Sequence, residues 1–598
     1  MRQLRLIRAL ILIVCSAWFF SRCVLPGNFA GNTIENTAPG AGATGENPQD
    51  PNPIEEQTPK AEGSDSTPTP LEINSPFEPL SLSAPDCTYG GAFKSIEAVD
   101  QLTVKFTLCS PDPAFLEKIA FPSFAIQPDE WLEETGGGGR LLENPVGTGP
   151  YRMVEWKRGQ ELVLEGFDRY WGEPKASVSP LIFRWEPVAQ QRLLQVMAGM
   201  VDGVDSIGPE YFEQVSSYDN LNLLIRPALN IAYLGINNTI PPFDREDVRR
   251  ALAMAIDRNK LVQVAYPSGY QLAEFFGPCT IPYACEGESW YGFDPQAARD
   301  LLSQAGFPLG FQLSLMYRGE AYGYMPWPDR VAAEISRQLK QNLGLDVQLS
   351  VVESDAFLSA VDSGQIPGLF LLGWGADYPD ISNFLDTHFG VDAPATFGSH
   401  FPDIEEALHN GSNSSAENRA PFYAQANTAI KSHVPMIPLA HGGWDSQESL
   451  SVIYRQGFQG ANTTFYGYEA FHLLNFPGQQ RFVWLQPVEP QSLYCPDEAD
   501  PSAFQACAQV TESLYRLEPG GVIAQPNLAE NCVVDAALTV WTCSLRPGIE
   551  FHNGAFLDAN DVTTSFIIQW DAVHPLHKGN TGAFAYFRMF WGNFLNAT

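Results

Sequence analysis

Basic residues are scarce in this 598-residue chain, which has 35 lysines and arginines against 69 aspartates and glutamates, a net charge of −34. Without a basic surface to offset phosphate charge, nucleic acid is excluded as a partner class. Charged residues make up only 17% of the chain, while hydrophobic residues make up 44%. This composition is typical of folded proteins, and the length predicts about two to four domains.

Sequence motifs of several enzyme classes are also missing. The chain has no GxxxxGK[ST] phosphate loop, no HExxH zinc motif and no GxSxG nucleophile turn. The stretch GTGP at 147–150 has a proline where an amide donor would be needed, so we interpret it as a tight turn before a strand at 151–156. His574 and His577 could share a helix face, but two histidines without a third ligand are usually surface residues. We therefore expect no enzymatic activity, no cofactor and no metal site.

Only the amino terminus has an apolar run long enough to suggest a membrane segment. Arg2, Arg5 and Arg8 precede the apolar residues 10–20, which is the order of a secretory signal. Cys23 follows, as at the lipidation site of bacterial lipoproteins, although Arg22 stands where the lipoprotein peptidase prefers a small residue. We predict that residues 1–23 export the protein to the cell surface or periplasm. It would be tethered to the membrane by lipidated Cys23 or an uncleaved anchor, the alternative being ordinary secretion.

Residues 24–83 are rich in Pro, Thr, Glu, Gly and Ser and poor in large apolar side chains. Such a segment cannot bury enough apolar surface to fold, so it predicts a disordered tether. A tether would keep a folded body close to the membrane, which suits a receptor with an integral membrane partner.

Cysteine is uncommon, at ten residues, and no CxxC pair or zinc-finger spacing occurs, which makes a zinc site the weaker interpretation. Without Cys15 and Cys23, eight cysteines remain as neighbours along the chain. An even number in an exported protein favours disulfides. We predict the pairs Cys87–Cys109, Cys279–Cys285, Cys495–Cys507 and Cys532–Cys543.

Strand and helix patterns alternate through the rest of the chain. Residues 103–108 alternate with period two, and residues 331–343 have a helical apolar period that ends at Gly344, before a strand at 347–351. Residues 244–262 are predicted to form one helix, with Asp244 and Asp247 in a capping box. Intermixed helices and strands predict an α/β or mixed α+β fold.

A succession of motifs resembles one known family. In chain order they are NPVGTGPY (144–151), VEWKRG (154–159), FDRYWG (167–172), AGMVD (198–202), YLGINN (233–238), PFD (242–244), VRRALAMAIDR (248–258), GWGADYPD (373–380) and NFL (383–385). Together they resemble the extracellular solute-binding proteins of family 5, the receptors of peptide, oligopeptide and nickel ABC importers. The resemblance covers nearly everything after the tether and implies a bilobal, periplasmic-binding-protein-like fold of type II.

The order of the chain's ends departs from that family. Its opening elements come last here, as FVWL (482–485), TESLYRL (511–517), LRPGIEFHNG (545–554) and DANDV (558–562). This order predicts a circularly permuted receptor. The alternative is a receptor without its beginning, fused to the first part of another. Lobe I would combine residues 84–229 and 452–598, and lobe II would comprise residues 230–451.

The resemblance implies a ligand site in the cleft between the lobes. Residues 369–372 predict a buried strand, and the loop that leaves it is where α/β folds commonly receive ligands. Peptide-binding relatives hold the ligand's free α-amino group with an acidic residue in the matching loop, which is Asp377 here, with Asp380 as the second candidate. The alternative role of Asp377 is to cap the loop.

A basic residue and several aromatic residues complete the candidate site. Arg318 matches a residue that meets the ligand carboxylate in some dipeptide receptors, and its alternative role is a solvated surface arginine. Aromatic side chains could form apolar walls that accept varied ligands, namely Trp374, Tyr378, Tyr322, Tyr324 and Trp327.

These features predict a monomeric, non-catalytic receptor that captures peptides or oligopeptides. It would deliver them to the permease and ATPase of an ABC importer. The alternatives are a sugar receptor or, with scattered histidines, a nickel receptor of the same family. From another class, the alternative is an extracytoplasmic sensor.

Overall fold

The structure is a computed structural model that describes residues 77–226, 229–307, 311–442, 451–465 and 467–597. The predicted export segment, Cys23 and residues 24–76 of the predicted tether lie outside the described residues. The prediction of disorder is wrong for the last residues of that tether, because Ser81–Ser83 form a strand that pairs with residues 95–97. Within the described ranges, no helix combines the length and apolar composition needed to cross a membrane.

Helices and strands are intermixed along the described residues, which confirms the predicted α/β class. The strands are β1 Ser81–Ser83, β2 Phe93–Asp100, β3 Thr103–Leu108, β4 Tyr151–Lys157, β5 Glu161–Gly166, β6 Leu181–Trp185, β7 Gly203–Asp205, β8 Leu221–Ile225, β9 Asn230–Ile236, β10 Gln271–Leu272, β11 Gln312–Arg318, β12 Asp346–Val352, β13 Leu369–Gly375, β14 Met436–His441, β15 Ser451–Arg455, β16 Phe482–Gln486, β17 Tyr515–Leu517, β18 Ala524–Pro526, β19 Ala529–Val534 and β20 Val540–Leu545. The helices are α1 Phe115–Ile119, α2 Asp129–Thr135, α3 Arg140–Glu143, α4 Ala189–Met197, α5 Phe212–Ser216, α6 Glu246–Ala255, α7 Arg258–Ala265, α8 Pro295–Gln304, α9 Pro328–Leu343, α10 Ser354–Asp362, α11 Leu385–Phe389, α12 Pro402–Ser412, α13 Ala420–His433, α14 Pro501–Cys507, α15 Ala559–Trp570 and α16 Ala585–Trp591.

Most of these strands belong to three sheets. A five-stranded sheet has the order β1-β2-β3-β20-β19, and a seven-stranded sheet has the order β4-β5-β6-β16-β7-β15-β8. The six-stranded sheet, β10-β14-β9-β13-β11-β12, is built wholly from residues 230–441, while the other two are built from residues 81–225 and 451–545.

The late part of the chain completes the two sheets that the early part begins. Strand β16 lies between β6 and β7 and runs parallel to both, with Trp484 opposite Phe183 and Gly203. Strand β20 pairs antiparallel with β3, and Trp541 lies opposite Phe106. The predicted partnership of residues 482–485 with the early strands is therefore present in the sheets, while circular permutation stays a prediction.

The core beside the five-stranded sheet joins the two parts of the chain as well. Phe93 of β2 has its ring centroid 6.2 Å from that of Phe106, 6.3 Å from that of Phe566 and 4.8 Å from that of Trp591. All four side chains are buried. Burial of aromatic surface is the main source of stability here, since each large side chain contributes about 1.5–3 kcal/mol.

The turn interpretation of GTGP is consistent with a close backbone approach. Gly149 donates its N–H to the carbonyl of Val510 at 2.9 Å, and a Cβ on Gly147 would collide with the same carbonyl. The hydroxyl of Thr148, between the two glycines, donates to the buried carboxylate of Glu512 at 2.8 Å. The motif therefore attaches the early chain to the late chain.

Two predictions of local secondary structure have opposite outcomes. The predicted helix before Gly344 and the strand after it are confirmed as α9 and β12. The single helix predicted over 244–262 is wrong, because the chain leaves helical geometry at Ile256. Asp257 then caps α7 by accepting the N–H of Lys260 at 3.0 Å, and Arg245 rather than Asp244 precedes α6.

The four predicted disulfides are confirmed. Their Cα–Cα distances are 5.6 Å for Cys87–Cys109, 5.2 Å for Cys279–Cys285, 5.8 Å for Cys495–Cys507 and 4.0 Å for Cys532–Cys543. Each bridge closes a short loop, which limits the freedom of the unfolded chain.

Candidate ligand-binding loop

The candidate loop lies at one edge of the six-stranded sheet. Strands β11 and β13 are parallel neighbours, so their carboxyl-terminal ends meet at the same edge. Arg318 is the last residue of β11, and residues 376–380, the Asp377 loop, follow Gly375 at the end of β13. The fold thus brings two predicted site regions, which are far apart in sequence, to one edge of the sheet.

Asp377 is half-buried and is held by the buried amide of Asn383. Its backbone N–H donates to Asn383 Oδ1 at 2.9 Å, and Asn383 Nδ2 donates to Asp377 Oδ2 at 3.1 Å. The indole N–H of Trp374 donates to the same Oδ1 at 3.0 Å. In the sequence, Asn383 stands out only as part of the family motif NFL. Its position shortly after Asp377 and Asp380 was the one signal that its amide could hold this loop.

Trp374 packs against a residue that follows its own strand in the chain. Its ring meets that of His388 edge to face, with the centroids 4.9 Å apart. His388 is buried, and its Nδ1 lies 2.8 Å from the carbonyl of Phe384. One side of the Trp374 ring therefore packs against the core. Its contact with ligand stays a prediction.

Asp380 lies in a buried ion pair. Its two carboxylate oxygens accept from Arg419 at 2.6 and 2.8 Å, and Oδ1 also accepts the N–H of Ser382 at 2.9 Å. Although burial acts to raise it, the pKa of Asp380 is held below its usual value by Arg419. These bonds give Asp380 a structural role, and its predicted contact with ligand stays untested.

Arg318 is 7% exposed, and its guanidinium is surrounded by hydroxyl groups. It donates to Tyr322 Oη at 2.7 Å, to Ser354 Oγ at 3.1 Å and to Tyr324 Oη. Among the described residues, no carboxylate oxygen lies within 4.0 Å of its nitrogens. The alternative of a solvated surface arginine is therefore wrong, because the side chain is buried.

The aromatic residues predicted around Arg318 form two groups. Tyr322 and Tyr324 stack with their centroids 5.5 Å apart, and the Arg318 guanidinium lies 3.7 Å from the centroid of Tyr322. Tyr324 also packs against Gly373 of β13, where a Cβ would collide with its ring. Trp327 lies farther along the chain, before α9, and Arg330 covers its ring at 4.1 Å.

The ring of Tyr378 faces helices α1 and α16, which come after strands of the five-stranded sheet in the chain. The Nζ of Lys118 in α1 lies 4.8 Å from the centroid of its ring, and the ring of Phe590 in α16 meets it edge to face at 5.5 Å. Burial raises the pKa of the Tyr378 hydroxyl, and the Lys118 charge opposes that rise. The sequence predicts that this ring lines the ligand cleft, and its contact with ligand stays a prediction.

Titratable groups of α1 also approach the Asp380–Arg419 pair. Burial and then the negative charge of Asp380 raise the pKa of the Glu117 carboxyl to about 8, while Arg419 opposes them. Tyr423 accepts from Arg419 at 3.1 Å and donates to Asp386 at 3.0 Å. Burial raises the pKa of Asp386 to about 7. The polar cluster therefore has protons that bind and dissociate near neutral pH.

His574 and His577 do not share a helix face. They lie between α15 and α16, and His577 Nδ1 is 2.6 Å from the carbonyl of Ile568. The prediction that the two histidines could share a helix face is therefore wrong, because helix α15 ends at Trp570.

The sequence matches a family model over more than half of its length. The model describes the middle part of the bacterial extracellular solute-binding proteins, family 5, and residues 60–395 of this chain match it. The chain belongs to this family. The family assignment inferred from the motifs is thereby confirmed, and it is a family of binding proteins.

Curated relatives and solved structures agree with that membership. The family 5 chain is 29% identical over 355 residues to Di/tripeptide-binding protein 1 of Pseudomonas aeruginosa, covering 58% of this chain and 65% of that protein. It is 31% identical over 359 residues to the Glutathione-binding protein GsiB of Pectobacterium atrosepticum, covering 58% and 67%. The chain therefore spans about two thirds of these relatives' length.

The fold is similar to that of HbpA2 from Haemophilus parasuis, with a TM-score of 0.60, 27% identity and coverage of 64% of this chain and 76% of that one. It also resembles the ABC transporter substrate-binding protein CtaP from Listeria monocytogenes, with a TM-score of 0.52, 22% identity and coverage of 64% and 77%. The second likeness concerns the fold alone. Together they support the predicted binding-protein architecture.

Proposed function

We propose that this family 5 protein is the receptor of an ABC importer and captures short peptides with free ends. Asp377 would bind the α-amino group and Arg318 the carboxylate, with Trp374 and Tyr322 as apolar surfaces. The permease and ATPase of the importer would be its partners, and the receptor would act as a monomer.

The observation that carries this proposal is the environment of Arg318. A buried arginine needs partners for its charge, since leaving that charge uncompensated costs several kcal/mol. Arg318 is buried among hydroxyls with no described carboxylate within 4.0 Å. A ligand carboxylate would supply the missing negative charge, and the planar guanidinium favours a bidentate contact.

The names of relatives support peptides over the alternatives. They include proteins named for binding dipeptides, di/tripeptides and glutathione, of which several come from Pseudomonas aeruginosa and one is the Dipeptide-binding protein of Escherichia coli. One relative, 27% identical, is named Heme-binding protein A and comes from Haemophilus influenzae. Heme therefore joins sugar and nickel as a competing ligand in the test.

The experiment is isothermal titration calorimetry with Ala-Ala, Ala-Ala-Ala and their carboxy-amidated forms, alongside maltose, Ni²⁺ and heme. We expect the free peptides to bind, and amidation to weaken binding tens-fold or more because it removes the charge that faces Arg318. The Arg318→Met variant should bind both forms equally weakly. The matched control is Arg337→Met, which changes an exposed arginine on α9 that pairs with Glu334. Binding of maltose, Ni²⁺ or heme without peptide binding would overturn the proposal.

We also propose that the chain is one circularly permuted receptor. Lobe I would comprise residues 84–229 and 452–598, and lobe II residues 230–451. Hydrogen bonds between the two ends of the described body support this order: Asn593 Nδ2 donates to the carbonyl of Tyr89 at 3.0 Å, and Asn560 Nδ2 donates to that of Glu78 at 3.0 Å. Because the two ends lie close together, joining them and opening the chain at another place would cost little stability.

The permuted order can be tested by restoring the family's order. A variant that starts at Arg481 and joins Ala597 to Phe77 through a short glycine-serine linker should fold, and it should bind the same peptides with similar affinity. The fusion alternative predicts that this variant aggregates, because the two segments would belong to different bodies. Its thermal unfolding and peptide titration are the measurements.

The export segment is the last part of the proposal. Residues 1–23 would direct export, with lipidation of Cys23 or an uncleaved segment as the tether. Cys23→Ser should move the protein from the membrane fraction to the soluble fraction if the lipid is the anchor. Unchanged fractionation would favour the uncleaved segment.

A further inference from the structure

Lys118 is a buried cation at the contact between α1 and the Asp377 loop. Its side chain is 11% exposed, and its Nζ lies 2.6 Å from Asp112 Oδ2. The same Nζ lies 4.8 Å from the ring centroid of Tyr378 and 5.0 Å from that of Trp591. Among the described residues, Lys118 therefore pairs with Asp112 and lies over the rings of Tyr378 and Trp591, and the negative charge of Asp380 also acts on it.

These partners come from different parts of the fold. Asp112 and Trp591 belong to the chain around the five-stranded sheet, whereas Tyr378 belongs to the loop that follows β13 of the six-stranded sheet. The ring of Phe590, beside Trp591, meets the Tyr378 ring edge to face, with the centroids 5.5 Å apart. The ring of Tyr378 thus contacts residues of the proposed lobe I, although its backbone belongs to the proposed lobe II.

We propose that Lys118 is a positioning residue, which holds the Asp377 loop in the closed, ligand-binding arrangement through its contact with Tyr378. This inference rests on the proposed function and adds that the two proposed lobes close on the ligand. Lys118 keeps Asp112 as its partner whether the lobes are open or closed, because both residues lie in lobe I. The contact with Tyr378 exists only when the lobes meet.

A contact that is present only in the closed state shifts the population toward that state. A cation over an aromatic ring in a desolvated place is worth enough to change an equilibrium by about five- to thirty-fold. The shift should appear mainly in the rate of ligand release, since the lobes must separate before the ligand leaves. Asp377, next to Tyr378 in sequence, would then be presented to the ligand for longer.

Three variants of Lys118 and its neighbours isolate this contact. Lys118→Met keeps the length and apolar stem, Lys118→Arg keeps the cation, and Asp112→Asn combined with Lys118→Met removes the carboxylate left without its partner. The matched control is Lys157→Met, which changes an exposed lysine paired with Glu155 on β4. Tyr378→Leu, alone and combined with Lys118→Met, completes a double-mutant cycle.

Two measurements are made on the full chain: stopped-flow release of Ala-Ala-Ala, and small-angle X-ray scattering without ligand. We expect Lys118→Met, with or without Asp112→Asn, to release the peptide about five- to thirty-fold faster and to have a larger radius of gyration. Lys118→Arg should restore both values, and Lys157→Met should match wild type. Lys118→Met should add little to Tyr378→Leu.

The two proposals fail in different ways. If wild type binds none of the peptides while Lys118→Met still increases the radius of gyration, the peptide assignment is wrong and the positioning role is supported by scattering. If Lys118→Met changes neither release nor radius of gyration, or if its effect adds fully to that of Tyr378→Leu, the positioning role is overturned.

Discussion

The side-chain amide of Asn383 bonds Asp377 at two points, accepting its backbone N–H at 2.9 Å and donating to its carboxylate at 3.1 Å. The same amide oxygen accepts the indole N–H of Trp374 at 3.0 Å. One buried side chain therefore orients both the backbone and the carboxylate of the residue proposed to bind the ligand's amino group.

We expect replacement of Asn383 to weaken ligand binding, although Asn383 is not among the residues proposed to contact the ligand. Asn383→Ala removes three hydrogen bonds, each worth about 0.5–1.5 kcal/mol, and leaves the Asp377 loop free to sample other conformations. We expect an about ten-fold or greater rise in the Kd for Ala-Ala-Ala, measured by calorimetry. The control is Asn220→Ala, an exposed asparagine before β8. Equal affinities of Asn383→Ala and wild type would show that the loop is held by other contacts.

Asp377 should recognise a cationic ligand end. Loss of one partner of a buried, charged hydrogen bond costs about 2–5 kcal/mol, so Asp377→Asn should raise the peptide Kd tens-fold or more. The folding stability should change little, since an asparagine can still accept from Asn383 Nδ2. N-acetylation of the peptide should weaken wild type similarly and add little in the variant. A variant that binds free-amino peptides as tightly as wild type would remove the best residue of the peptide hypothesis.

Asp380 should matter for stability more than Asp377 does. Asp380→Asn leaves the Arg419 guanidinium buried without its carboxylate, and breaking a buried pair in this way costs about 3–5 kcal/mol. We expect a lower midpoint of urea unfolding for Asp380→Asn and an almost unchanged midpoint for Asp377→Asn. If the two variants unfold at the same denaturant concentration, the distinction between the two aspartates is wrong.

Glu117 should give the protein a pH-dependent stability. Its pKa is raised in the folded state from 4.5 to about 8, by burial first and then by Asp380. The other groups that face it are Arg419, Asp112, Tyr283 and Tyr515. A raised folded-state pKa means that the protonated carboxyl stabilises the fold fully below about pH 4.5, and that this contribution is lost as the pH rises to about 8.

The Glu117→Gln variant tests this sign, because glutamine stays neutral at every pH. Its melting temperature should be close to that of wild type at about pH 5 and should exceed it increasingly up to about pH 8. The exposed Glu213→Gln on α5 serves as the control. A constant difference across this range would mean that Glu117 does not titrate in the folded protein.

Local patterns were good predictors where neighbours in sequence decide the structure. The alternation of β3 and the glycine after α9 depend on residues within a few positions of each other, and the paired cysteines are 6 to 22 residues apart. The structure has each of these features. The helix predicted over 244–262 failed because Asp257 competes locally: its carboxylate caps a new helix more favourably than it would sit inside the old one.

The site was only partly predictable for a different reason. The family resemblance led to Asp377 and Arg318, and the parallel pairing of β11 with β13 brings their regions to one edge. The sequence predicts that Tyr378 lines the cleft wall, and this stays a prediction. What the sequence does not say is which residues the ring contacts, and in the structure it lies against Lys118 and Phe590. Those partners are more than 200 residues away, a separation at which only tertiary packing determines contact.

The position of β16 has a consequence for how the chain folds during synthesis and export. This strand occupies the interior of the seven-stranded sheet, between β6 and β7, yet it is made about 280 residues after β7. Until then both strands expose open edges, which attract wrong strand partners. The six-stranded sheet, whose strands all lie within residues 230–441, is free to form earlier. We therefore expect assembly to run from the middle of the chain outward, and the early segment to need protection from aggregation until its central strand has been made.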